Sequence, residues 1–230
     1  MRNKYCLKRA IDIIFSFCLI IILLPLFILI SLMIILISGR PFLFIQKRPG
    51  KNEKLFNIYK FRTMINDARK KHLNGANPKD LILFGMLWVR KIHLDEIPQL
   101  FNILKGDMSF VGPRPLAIKD FKEHLKQDPE YHQVTKLKPG LTSMNQALGY
   151  LNDNTRQKIM KKIGLKKRSN IHEHNRLSEK YHQKLKEREF YYLEHNSFLL
   201  DLRIIWWTVL VEFQSAIRIF KSQSLYNKIF

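Results

Sequence analysis

The sequence predicts a mainly α-helical chain with a few short strands, held at a membrane by an N-terminal apolar segment and by amphipathic helices lying in the interface. Three observations carry this. Residues 13–37, IIFSFCLIIILLPLFILISLMIILI, contain no charged side chain. Ile97, Leu100, Phe101 and Leu104 recur at the i, i+3, i+4, i+7 spacing of a helix with one apolar face. The C-terminal stretch SFLLDLRIIWWTVLVEFQSAIRIF is apolar but interrupted by Asp201, Arg203, Glu212 and Arg218.

The N-terminal run exceeds the roughly 18 residues that mark a membrane helix. It is too long for a signal peptide, and no small-residue cleavage site follows it. A single spanning helix is one reading. A re-entrant hairpin is the other. Pro25 sits at the centre of the run, removes one backbone hydrogen bond and clashes with the carbonyl of Ile21, which kinks a helix. Both flanks are basic, with Arg2, Lys4, Lys8 and Arg9 before and Arg40, Lys47 and Arg48 after. Such flanks favour the cytoplasmic side. Both can lie there only if the segment turns back. Each half is about 18 Å long at about 1.5 Å per residue, short of a hydrocarbon core of about 30 Å.

Residues 39–64 read as short extended pieces broken by Gly-Arg-Pro and Arg-Pro-Gly-Lys turns. Residues 65–84 are polar, with NGANPKD as a loop, and Gly106 is the stop signal of the helix that begins near Ile97. Residues 113–140 alternate helix and loop. Residues 156–188 hold twelve Lys or Arg against three Glu, and Leu177, Tyr181 and Leu185 at spacing four predict a helix with a basic face. That face is either solvated or set against anionic headgroups, at about 1 kcal/mol per basic residue near the surface. In the C-terminal stretch the charges argue against a second span, and Trp206 and Trp207 fit an aromatic belt, so a helix lying in the interface is expected. A core helix is the competing reading.

The net charge of +21 calls for an anionic partner: nucleic acid, an anionic membrane surface or a phosphorylated substrate. At 46 % apolar residues the chain is no basic disordered tail. Its two cysteines, Cys6 and Cys18, suggest neither a disulfide framework nor a zinc site, which fits a reducing compartment.

In this basic chain one Asp-Glu pair stands out, in LDEIPQLFNILKGDMSFVGPRP. If a helix starts just after Asp95, that residue is its N-cap, Glu96 and Pro98 fall in the first turn, and capping alone explains the pair. A chemical reading stands beside it. A carboxylate at a helix start can bind Mg²⁺ that bridges to phosphate oxygens, or attack phosphorus itself. A second carboxylate beside it can act as a base or metal partner. Arg90 precedes the pair, and Arg114 lies between Pro113 and Pro115, which restrict its backbone. Lys60 and Arg62 in YKFRTM add two cations. Beside a membrane anchor, this set points to phosphoryl chemistry on a lipid-linked substrate.

FNIYKFRTM, LDEIPQLFNILKGDMSFVGPRPL and LKPGLTSMNQALG resemble the signature blocks of the bacterial sugar transferases, the monotopic phosphoglycosyl transferases. KRAIDIIFSFCLIIILLPLF and SFLLDLRIIWWTV are also similar to that family. The resemblance implies transfer of a sugar 1-phosphate from a UDP-sugar to undecaprenyl phosphate, with release of UMP, as the first membrane step of glycan assembly. It places the catalytic dyad on Asp95, the nucleophile and Mg²⁺ ligand, and Glu96. It places phosphate contacts on Lys60, Arg62, Arg90 and Arg114, and the membrane helix break on Pro25. It implies a re-entrant anchor over residues 1–40, a cytosolic catalytic domain over 41–195 and an interfacial helix over 196–230, on the cytoplasmic face of the bacterial inner membrane. The chain departs from the family at Leu24, Ser143, Met144 and Tyr150, and in the approach to the dyad, NPKDLILFGMLWVRKIHLDE.

Two other classes compete. A nucleic-acid binder would explain the charge, but no DNA- or RNA-binding motif is present and the charge flanks membrane-active segments, so no nucleic acid is expected. A catalytically silent membrane scaffold is compatible with the altered GLTSMNQALGY block; the intact dyad and its arginines speak against it.

Overall fold

The computed structural model describes residues 2–68, 71, 74–77, 80–149 and 177–226, with side chains described at 6–68, 71, 74–77, 80–148 and 186–213. Most of the basic stretch 156–188 lies outside the described residues, as does Tyr150. The protein is mostly helical with four short strands among the described residues. The order is α1 (Arg2–Ser38), β1 (Leu43–Pro49), β2 (Leu55–Phe61), α2 (Leu87–Lys91), α3 (Gln99–Lys105), β3 (Ser109–Val111), α4 (Ile118–Gln127), β4 (Gly140–Thr142), α5 (Met144–Gly149), α6 (Leu177–His195) and α7 (Phe198–Tyr226). Short 3₁₀ turns occupy Lys51–Glu53, Leu94–Glu96 and Pro129–Lys136. The chain forms two compact units: Met1–Tyr5, Arg48–Leu55 and Met108–Val211 in one, and Cys6–Lys47, Phe56–Asp107 and Glu212–Phe230 in the other. They interleave along the sequence, so neither is a continuous segment.

In the unit that carries the carboxylate pair, α1 contributes to the core. It is one helical element with Pro25 inside it. It is also the one helix among the described residues long and apolar enough to cross a membrane. Ile30 and Ile34 are fully buried with Phe61, Leu83, Met86 and Val89. Burial of each such side chain stabilises by about 1.5–3 kcal/mol. The Phe27 ring lies 4.9 Å from that of Phe61 and 5.8 Å from that of Phe101. Near the other end, Arg9 donates to the carbonyls of Ile103 (2.6 Å) and Leu104 (2.7 Å). These are the last carbonyls of α3, which have no partner within the helix and attract a cation. Gly106 ends α3 in the left-handed conformation (φ 99°), as the sequence predicted. Residues 17–29 of α1 include no buried side chain.

The buried amide of Asn102 fastens α3 to β2. Its Nδ2 donates to Asn57 O (2.7 Å) and its Oδ1 accepts from Tyr59 N (3.0 Å). One side chain thus takes the place of a neighbouring strand and sets α3 beside Lys60.

In the other unit, β3 and β4 pair in parallel, Ser109 with Gly140 and Val111 with Thr142. Two glycines allow this approach. A Cβ on Gly112 would collide with the carbonyl of Lys138, and one on Gly140 with the backbone of Gly112. The core beside the strands holds Val111, Met144, Leu148, Tyr192, Leu200 and Ile204. The hydroxyl of Tyr192 donates to Asp201 Oδ1 (2.5 Å), so Asp201 is a buried, bonded residue of α7. α7 is two-faced: Leu200, Ile204 and Val211 are buried, while Phe198, Leu199, Leu202, Trp206, Val209 and Phe213 are exposed. The two tryptophans part company, Trp206 outward and Trp207 against the core.

Candidate functional site

The carboxylate pair sits on the 3₁₀ turn Leu94–Glu96 and not at an α-helix cap. The N-cap of α3 is Pro98, and no side chain bonds its free N–H groups. The expectation that Asp95 caps the helix is therefore corrected. Pro98 starts α3 three residues later, where a residue without an N–H costs nothing. Side-chain capping of α3 therefore does not account for the pair.

Its geometry has other origins. His93, just before the turn, takes the left-handed conformation (φ 55°), a strained state for a non-glycine residue. Its Nδ1 lies 2.9 Å from Glu212 Oε1 on α7. The hydrogen bond that His93 donates to the Glu212 carboxylate holds the His93 pKa above its ordinary value, against the opposing effect of burial. Asp95 and Glu96 are each 8 % exposed. Lys60 Nζ pairs with Glu96 Oε1 at 2.6 Å. Burial pushes the Asp95 carboxyl above its ordinary pKa, and the charge on Glu96 adds to this. Lys60, Arg90 and His93 pull the other way. Arg90 donates to Thr63 Oγ1 (3.1 Å).

Lys60 and Arg90 are thus brought to the pair. Arg62 is placed elsewhere. Its guanidinium donates to Ser38 O (2.8 Å), Ser38 Oγ (2.9 Å) and Gly39 O (2.6 Å), tying off the end of α1. Among the described residues no cluster of three or more His, Cys, Asp or Glu is arranged to enclose a metal. A donor set of one carboxylate completed by substrate phosphate oxygens and water is nonetheless the ordinary environment of Mg²⁺. Asp95 offers that carboxylate.

Arg114 belongs to the other unit. Its side chain is exposed while its backbone is held at three consecutive residues. Pro113 O accepts from Gly140 N (2.9 Å), the Arg114 N–H donates to the Glu189 carboxylate, and Pro115 O accepts from Arg48 Nη1 (3.1 Å). Glu189, on α6, is 2 % exposed and accepts from Asn145 Nδ2 at 2.7 Å. Burial pushes its carboxyl up to about 7, opposed by Asn145, the Arg114 N–H and the guanidinium groups of Arg114 and Arg188. A concave surface beside this turn is lined by Pro49, Gly50, Arg114, Phe121, Tyr131 and Pro139. Glu189, Asn145, Glu212 and Arg9 were not singled out by the sequence for these roles. Glu189 directly follows the strongly basic stretch, where an acid close to Glu187 reads as one more surface charge.

The model of the bacterial sugar transferase family matches residues 3–215, and the chain belongs to that family. It is 31 % identical over 208 residues to the UDP-N-acetylgalactosamine-undecaprenyl-phosphate N-acetylgalactosaminephosphotransferase of Aeromonas hydrophila, covering 88 % of this chain and 43 % of that protein. It is 38 % identical over 152 residues to the undecaprenyl-phosphate glucose phosphotransferase of Komagataeibacter xylinus, covering 62 % and 28 %. It is 34 % identical over 214 residues to the exopolysaccharide production protein PSS of Rhizobium leguminosarum bv. phaseoli, covering 90 % and 94 %. The chain thus spans less than half of the first two relatives and nearly all of the third.

Proposed function

We propose that this protein transfers a sugar 1-phosphate from a UDP-sugar to undecaprenyl phosphate, with release of UMP, at the cytoplasmic face of the bacterial inner membrane. The observation that carries the reading is the Asp95–Glu96 turn. Two buried carboxylates, one paired with Lys60, sit beside Arg90 in a chain of this family. Relatives named for undecaprenyl-phosphate sugar transfer support the substrate class.

In this reading an Asp95 carboxylate oxygen attacks the β-phosphorus of the donor. The bond from that phosphorus to the bridging oxygen breaks, and its electron pair leaves with UMP. A phosphate oxygen of the acceptor then attacks the same phosphorus, and the Asp95 carboxylate is released. Lys60 pairs with Glu96 and also favours the charged form of Asp95, opposing the effects of burial and of the Glu96 charge. Glu96 either takes up a proton at the acceptor step or serves as a second metal contact. Arg90 and Arg114 hold phosphate oxygens. Mg²⁺, held by Asp95 with substrate phosphates, would supply charge neutralisation. Arg62 stands apart from this set, as the residue that fixes the end of α1.

We further propose that α1 enters the membrane from the cytoplasm and returns at Pro25. Support comes from the unit that contains it. Arg9 and Phe27 both reach α3, within three residues of one another there, although eighteen residues of α1 separate them, about 27 Å if straight. The segment between is without buried side chains over residues 17–29. Membrane lipid, anionic headgroups included, covers it and the exposed face of α7.

A UMP-release screen over UDP-glucose, UDP-galactose and UDP-N-acetylhexosamines, with undecaprenyl phosphate, tests the activity. Absence of turnover on all of them, from a folded and inserted protein, favours the silent scaffold. Cysteine accessibility at Asn3 and Asn52 tests the anchor: both should be shielded from reagents outside the cell, and labelling of only one from outside rules out the hairpin.

A further inference from the structure

We infer that Glu189 is a positioning residue for Arg114, holding the Pro113–Arg114–Pro115 turn so that the exposed guanidinium is presented to donor phosphate. This rests on the reading of Arg114 given above. The turn has one N–H to give, because its two prolines have none. That N–H goes to the Glu189 carboxylate. The flanking carbonyls are taken by Gly140 N and Arg48 Nη1, so Glu189 supplies the third fixed point of a three-residue clamp. Asn145 Nδ2 orients the carboxylate from a different element, α5, at 2.7 Å. A carboxylate this buried costs several kcal/mol unless bonded. Its bonds are spent on the backbone and the charge of one exposed arginine, with Arg188 as second cation. A core that needed only stability would be served as well by an apolar side chain of similar volume.

The test is a double-substitution cycle on the full-length protein in detergent or nanodiscs, using whichever UDP-sugar gives most UMP. Glu189→Gln leaves one acceptor oxygen for two donors. It should raise the donor KM about tenfold, with a smaller fall in kcat. In an Arg114→Ala background the same substitution should change KM by less than about twofold, because the clamped group is gone. Multiplication of the two effects overturns the inference, as does an unchanged KM in Glu189→Gln alone. If Glu189→Gln does not fold, Asn145→Ser replaces it. The expected rise is then about threefold, again absent beside Arg114→Ala, and an unchanged KM overturns the inference. An Arg114→Ala enzyme with a normal KM instead defeats the phosphate reading of Arg114, a failure distinct from that of Glu189.

Discussion

Asp95 and Glu189 are both buried carboxyls raised above their ordinary pKa by desolvation, yet they are furnished in opposite ways. Asp95 lies on a turn that follows the left-handed His93, among side-chain charges, with Lys60, Arg90 and His93 favouring its charged form and Glu96 opposing it. Glu189 is fastened by an amide and by a backbone N–H, the least mobile donor a chain possesses. The first arrangement leaves a carboxyl whose charge is settled by what arrives beside it. The second makes a carboxyl that settles where something else is.

The contrast can be broken most sharply at Asp95. Asp95→Asn should lower UMP release by more than about a thousandfold, with stability unchanged or raised by about 1 kcal/mol, because a neutral amide replaces a poorly solvated acid. Near-normal release defeats the covalent mechanism, as does failure to trap labelled phosphosugar on the wild-type enzyme without acceptor.

Glu189 should declare itself in the pH dependence of stability. Its folded pKa is raised to about 7 from 4.5, so between these values the folded state holds the extra proton. Stability is therefore greatest below the lower value and falls as pH rises through the window. The loss is at most about 3 kcal/mol at about 1.4 kcal/mol per unit. Thermal melts from pH 4.5 to 8 should show this slope, and Glu189→Gln should flatten it. Arg114→Lys, which keeps charge but loses the planar fork, should cut kcat/KM about 10- to 100-fold without altering the melt. Full activity removes Arg114 from the phosphate set. The smallest effect is expected at Lys60. Lys60→Met breaks the pair with Glu96 and should lower stability by about 1 kcal/mol, read from thermal or denaturant unfolding.

The mainly helical architecture, the long apolar segment, the stop at Gly106 and the two-faced C-terminal helix were legible in the sequence, since each is a matter of periodicity or of a residue with one dominant backbone preference. The carboxylate pair was legible as chemistry but not as geometry. An N-cap and a 3₁₀ turn three residues ahead of a cap differ by one proline's placement. What sequence could not convey are pairings across long separations: Arg9 with the end of α3, Arg62 with the end of α1, His93 with Glu212, Glu189 with Arg114. Local spacing holds no record of them. Arg62 shows the cost, since a cation near a phosphate motif and a cation closing a helix look alike until its acceptors at Ser38, Gly39 and Arg40 are seen.

Because Ile30 and Ile34 sit at the centre of a core shared with Phe61 and Val89, the long apolar helix α1 is not a detachable tether. Cutting it away to obtain a water-soluble fragment would excise the middle of the unit that bears Asp95, together with the carbonyls that Arg62 grips. Under the membrane reading proposed above, completing this core and inserting α1 become one event, and the same side chains serve both.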